Sequence, residues 1–161
     1  MEVKIGNRRL KMIDGKVCIV MFSNLGVEVK SGKFSPLKFW DTCGYNQCCI
    51  VIDGRKTNLL EHRLMWKLAD PEWDIWDSGP DNQIDHYNRN KKDNRLENLH
   101  VVNHNQNMWN TDAKGYRLTP NGKYEARIMV DGVTIGLGRF DTEEEAHSAY
   151  LDGKIKYHPI V

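Results

Sequence analysis

Short alternating runs fill the first sixty residues. Lys16–Phe22, Leu25–Val29 and Gln47–Asp53 set apolar side chains at every second position or in brief blocks, the period of strands with a buried face. Asp14-Gly15, Ser31-Gly32 and Asp53-Gly54 separate them, and such pairs take the left-handed backbone that tight hairpins need. From Thr57 the period lengthens. Leu59, Leu60, Arg63, Leu64, Trp66, Lys67 and Leu68 predict a helix with an apolar stripe, which Pro71 ends. In the turn-rich connector 71–83, Trp73 and Trp76 are expected to pin the loop to the core. A strand at Ile84–His86, a polar loop, a strand at Leu99–Val102 and a helix opening near Asn103 come next. Beyond Gly115 the pattern predicts strands at Tyr116–Leu118, Lys123–Val130 and Thr134–Phe140, with Asn121-Gly122 and Asp131-Gly132 as two-residue turns. Thr142 then caps a helix whose first turn holds Glu143–Glu145, while Ala146, Ala149 and Tyr150 face the sheet. The class is α+β: N-terminal hairpins and a helix, a strand–loop–strand–helix core, and a three-stranded antiparallel sheet packed on one helix.

A length of 161 residues allows one ordinary domain or two small ones. With 40% hydrophobic and 28% charged residues the chain is a folded one, not a disordered one. Val17–Phe22 and Cys48–Ile52 are too short to span a bilayer, and no signal-peptide core follows the first charges, so a cytoplasmic protein is expected. Cys18, Cys43, Cys48 and Cys49 lack the paired spacing of a zinc knuckle and are expected to be free buried thiols. The formal charge of +1 hides an asymmetry: between His86 and Arg127 eight basic residues stand against four acidic ones, as a phosphate-binding face would require.

Phosphodiester hydrolysis needs a group to take a proton from water and a cation to neutralise charge on the phosphate. Histidine suits the first task, and hard oxygen donors holding Mg²⁺ suit the second. Asp85 and His86 are neighbours on one predicted strand, so they point to opposite sides unless the strand bends. Asp85-His86, Asp93-Asn94-Arg95, Glu97-Asn98-Leu99 and Asn107, in that order, resemble the ββα-metal motif of HNH endonucleases, in the homing and phage branch with Asn for the final His. The preceding GYNQCCIVIDGRKTNLLEHRLMWKLA resembles the hairpin and His-Arg helix that accompany this motif. The resemblance implies His86 as general base, and Asp85 and Asn107 as ligands of Mg²⁺ or Mn²⁺. It gives Asn98 the tasks of holding the loop and orienting His86. Arg95 either meets the scissile phosphate or forms an ion pair within the loop. His100 and His104 are expected at the surface, with His104 a competitor for the ligand role. The implied substrate is double-stranded DNA, cut to a 5′-phosphate and 3′-OH, as a nick by a monomer or a double-strand break by a homodimer. The alternatives are an inactive DNA-binding protein and an RNA-directed nuclease.

Farther on, Gly115-Tyr116-Arg117, Gly122-Lys123-Tyr124, Ala126-Arg127-Ile128, Leu137-Gly138-Arg139-Phe140 and Asp141-Thr142 with Glu144-Glu145-Ala146 resemble the DNA-binding domain of plant Apetala and ethylene-response factors. In that family the open face of the sheet enters the major groove. Alternation turns Ala126, Ile128 and Val130 toward the helix and Glu125, Arg127 and Met129 away from it. Arg117, Lys123, Arg127 and Arg139 are the expected DNA contacts. Thr119, Asn121 and Met129 replace the usual aromatic or arginine contacts, which implies docking without a defined sequence preference. The expected domains are 1–112, a nuclease with its core at 83–111, and 113–161, a DNA-binding module.

Overall fold

The computed structural model describes residues 2–20 and 34–159. The strand expected at Leu25–Val29, the turn at Ser31-Gly32 and the end of the run Lys16–Phe22 lie outside the described residues. The chain divides into two compact units, Met1–Val102 and Asn103–Val161.

In the first unit β1 (Glu2–Ile5), β2 (Arg8–Ile13), β3 (Lys16–Val20) and β4 (Phe34–Pro36) form an antiparallel meander. A second sheet joins β5 (Trp40–Thr42), β6 (Tyr45–Ile52) and β7 (Arg55–Leu60). Period two is plain on β6, where Cys48, Ile50 and Ile52 are buried while Cys49 and Val51 are exposed. Asp14-Gly15 and Asp53-Gly54 both adopt positive φ and turn their hairpins as expected. The helix expected from Thr57 begins later, as α1 (Glu61–Ala69). Thr57 to Leu60 instead pair with Ile50 to Gln47, and Leu59 is buried opposite Cys48. Starting the helix at Thr57 would strip that ladder of its hydrogen bonds, so pairing overrides the apolar spacing.

Leu64 and Leu68 of α1 enter a core with Val3, Ile5, Leu10, Val17, Ile50 and Ile52. Full burial of a side chain such as Leu10 or Leu64 is worth about 1.5–3 kcal/mol. The four cysteines are free, but only Cys18 and Cys48 are buried; Cys43 and Cys49 are exposed, contrary to the expectation for all four. Burial pushes the Cys48 thiol up to about 12.

Arg63, on the far side of α1, ties down the connector. Its Nη2 donates to the carbonyls of Ile75 and Asp77, each at 2.7 Å, and its guanidinium lies over the Trp73 ring at 4.6 Å. Trp73 thus pins the loop, with its Nε1 donating to Asn82. Trp76 does not, being 52% exposed; the anchor is Ile75, buried in the core beside it. The chain then enters the antiparallel pair β8 (Gln83–His86) and β9 (Leu99–Val102), the latter preceded by a short 3₁₀ turn at Leu96–Asn98.

The second unit starts with α2 (His104–Trp109), whose N-cap Asn103 and Gln106 form a capping box. β10 (Tyr116–Leu118), β11 (Tyr124–Val130) and β12 (Val133–Phe140) make a three-stranded antiparallel sheet. It packs on α3 (Glu143–Tyr157), which Thr142 and Glu145 cap. Ala126, Ile128, Ala146 and Tyr150 are buried between sheet and helix, and Ala149 is half-buried. Asp131-Gly132 is the expected two-residue turn. Asn121-Gly122 is not: the Thr119 N–H donates to the Lys123 carbonyl at 2.8 Å, closing a loop of Pro120, Asn121 and Gly122. Pro120 has no N–H to donate, so it cannot complete the pair with Lys123 that a two-residue Asn121-Gly122 turn needs; the left-handed step falls on Gly122 alone.

Candidate active site

β8 presents its residues alternately. Ile84 and His86 are buried on one side, while Gln83 and Asp85 face the other. His86 ends the strand and is 3% exposed. Its Nε2 lies 2.9 Å from Oδ1 of Asn94, a buried loop residue. Asn94 Nδ2 in turn donates to Oε2 of Glu61 at 2.7 Å, and Asn46 Nδ2 donates to the same oxygen at 2.6 Å. A carboxylate only accepts, so Glu61 fixes which end of the Asn94 amide faces it. The Asn94 oxygen then faces His86, whose Nε2 must carry the proton. In the neutral ring Nδ1 holds the lone pair.

Two further rings close this cluster. His62 of α1 meets His86 edge-on at 5.2 Å, and Tyr45 of β6 lies 5.4 Å from His62. Burial, with the charges of His86 and Arg63 beside it, pulls the His62 pKa down to about 3. His62 is therefore a neutral plate against His86. Neither Glu61 nor Asn94 was singled out from the sequence for His86. They lie 33 residues apart, and only the folding of α1 against the loop brings them together.

Asn98 holds the loop, as expected. Its Oδ1 accepts the Asn88 N–H at 2.9 Å and its Nδ2 donates to the Asp93 carbonyl at 2.7 Å. It does not orient His86; that hydrogen bond comes from Asn94, because the Asn98 side chain is spent on the loop backbone. Arg95 makes a bidentate pair with Asp93, both bonds at 2.8 Å, and a third bond to Glu97 at 2.6 Å. This arginine holds the Asp93 carboxyl far below its usual range. Of the two roles open to Arg95, the geometry favours shaping the loop.

On the opposite face of β8, Asp85 Oδ1 accepts the His86 N–H at 2.8 Å. Its Oδ2 points at Nε2 of His100, the cross-strand neighbour, 3.5 Å away. His100 is not at the surface as expected; its side chain is 17% exposed and its Nε2 is buried without a hydrogen-bond partner among the described residues. A fixed carboxylate facing an orphaned imidazole nitrogen suits a small divalent cation. Among the described residues no three His, Cys, Asp or Glu side chains are grouped to hold a metal. A cation at Asp85 would therefore complete its shell with amide, water or phosphate oxygens. Asn107, half-buried, stands in α2 of the second unit, and its N–H bonds the Asn103 carbonyl at 3.0 Å. His104, the first residue of α2, is exposed.

In the second unit the expected DNA contacts differ in their freedom. Arg117 and Arg139 both pair with Glu125, at 2.7 and 3.1 Å, and keep its carboxyl below the ordinary range. Lys123 pairs with Asp141. Arg127 is exposed and has no ion pair among the described residues. A cavity of about 540 Å³ opens here as well, lined by Trp109, Arg127, Tyr150 and His158 among others. Trp109 stacks flat on His158 at 4.5 Å.

The family model described as HNH endonuclease matches residues 60–109. That span runs from the end of β7 through α1, the connector, β8, the polar loop and β9 to the last residue of α2. No curated protein and no solved structure matches the chain. No helix among the described residues is long and apolar enough to cross a membrane. With Glu61, His62, Asp85, His86, Asn94 and Asn98 all inside the matched span, residues 60–109 are an HNH endonuclease domain, the module of a phosphodiester hydrolase acting on nucleic acid.

Proposed function

We propose that the chain is a DNA endonuclease of the homing or phage type in which His86 is the general base. The observation that carries this is the hydrogen-bonded series Glu61–Asn94–His86, which places the proton on Nε2 and the lone pair on Nδ1. Nδ1 takes a proton from the water that attacks phosphorus in line. The 3′ oxygen leaves, giving a 5′-phosphate and a 3′-OH. Asp85 and Asn107 hold Mg²⁺ or Mn²⁺. When bound, the cation neutralises charge on the phosphate and on the departing oxygen. Asn98 and Arg95 keep the loop in the shape that carries Asn94 to His86. Residues 1–112 supply the chemistry and 113–161, with their resemblance to plant DNA-binding sheets, supply position. Basic residues around the motif and on the sheet support a duplex substrate.

Conversion of supercoiled plasmid to open circles in Mg²⁺ or Mn²⁺, and its loss with chelator, is the direct assay. One base per chain predicts open circles before linear product. His86→Ala is expected to slow cleavage about 10²–10⁴-fold. A variant that cuts at the wild-type rate removes His86 from the chemistry, and RNA cut in preference to plasmid makes the substrate RNA.

A further inference from the structure

We infer that His100 Nε2 is a ligand of the cation held at Asp85, and that it tilts the site toward Mn²⁺ over Mg²⁺. The inference rests on the reading of Asp85 as a metal ligand and adds a residue that the motif does not contain.

Asp85 and His100 are directly paired across β8 and β9, so their side chains leave the same face of the ribbon. The carboxylate cannot turn freely, because Oδ1 accepts the His86 N–H, and Oδ2 lies 3.5 Å from Nε2. Their separation of 3.5 Å is long for a charge-assisted hydrogen bond, about 2.7–2.9 Å. It fits two donors sharing one ion. Donors about 2.1 Å from a metal stand about 3.0 Å apart at a right angle and about 3.4 Å apart at the tetrahedral angle. Closing on an octahedral cation would therefore bring the pair together by about 0.5 Å.

Nε2 is also buried with no hydrogen bond among the described residues, which is costly for a polar atom; a metal would give it a partner. The Tyr87 ring stands edge-on to His100, with 6.1 Å between ring centroids. Imidazole is a poor ligand for Mg²⁺, which prefers oxygens and gives up water reluctantly. It binds Mn²⁺ more readily than Mg²⁺, and iron, nickel, copper and zinc more readily still, so this nitrogen moves Mn²⁺ above Mg²⁺ in the order of preference.

The test uses the full chain with Mn²⁺ and no nucleic acid. Pulsed electron paramagnetic resonance should show a directly bound ¹⁴N in the wild type and in His104→Leu, and none in His100→Leu. Titration calorimetry should show Mn²⁺ affinity falling about 10–100-fold in His100→Leu, with Mg²⁺ affinity changed less than threefold. His100→Gln serves if the leucine variant fails to fold. If His100 variants keep the nitrogen coupling and the affinity, the inference falls while Asp85 stands. If Asp85→Ala binds Mn²⁺ as the wild type does, or if the wild type binds none, the reading beneath it falls as well.

Discussion

A neutral imidazole has two nitrogens and one proton, so whatever places the proton decides which nitrogen can act as base. Here that decision is made 25 residues away in the chain, by Glu61 acting through Asn94. Asn94→Leu removes the acceptor from Nε2 and the donor from Glu61. It is expected to lower kcat about 10–100-fold with KM little changed, by analogy with loss of a partner that orients a histidine. Nitrogen-15 shifts of His86 should show the two tautomers mixing; one fixed tautomer in the variant would break the proposed chain of control. His62 makes a second prediction. Its pKa is about 3 in the fold against 6.5 for the free side chain. Between those values the unfolded chain binds a proton that the folded chain refuses, so stability falls as pH drops below about 6.5 and continues to fall toward 3. The slope from this residue approaches about 1.4 kcal/mol per pH unit, and denaturant titrations of His62→Phe should show it flattened.

At the scale of elements the hydrophobic pattern was legible where one local rule acts without competition. β9, the caps of α2 and α3, and the Asp131-Gly132 turn lie where spacing and capping residues place them. It misled where two rules met. Leu59 and Leu60 fit a helical stripe, yet the ladder to Cys48 and Gln47 claims them. Asn121-Gly122 fits a tight turn, yet Pro120 forces a longer one. The candidate site was legible only in part for a related reason: Asp85, His86 and Asn98 stand out by spacing, whereas the bond of Asn94 to Glu61 and the pairing of His100 with Asp85 come from packing and strand register. The entry into β10 offers a test of packing against backbone freedom. Gly115 has φ +74°, and a Cβ there would lie 1.8 Å from Cγ of Tyr150; Gly122 has φ +75° with nothing within 4 Å. Gly122→Ala should cost about 1 kcal/mol, the backbone term alone. Gly115→Ala must also displace a buried tyrosine and should cost at least about 2 kcal/mol more, read from unfolding followed by circular dichroism. Equal losses would mean that Tyr150 yields freely.

For the whole molecule the formal charge of +1 gives little long-range attraction to a polyanion. Under the proposed reading, affinity for DNA comes from local cations, and their availability differs. Arg117 and Arg139 share the Glu125 carboxylate, and Lys123 is engaged with Asp141, so each must surrender or share an ion pair to neutralise a phosphate. Arg127 surrenders none among the described residues. Each phosphate neutralised contributes about 0.9 to the slope of log K against log salt. Arg127→Ala should therefore reduce the slope by about 0.9, measured by fluorescence anisotropy on a short duplex. Arg117→Ala should reduce it by less, since the freed Glu125 still occupies Arg139. Glu125→Gln should release both arginines and raise affinity and slope together. If Glu125→Gln instead weakens binding, the carboxylate holds the two guanidiniums in the geometry that DNA needs, and the sheet face works by fixed orientation of its arginines instead of by free charge.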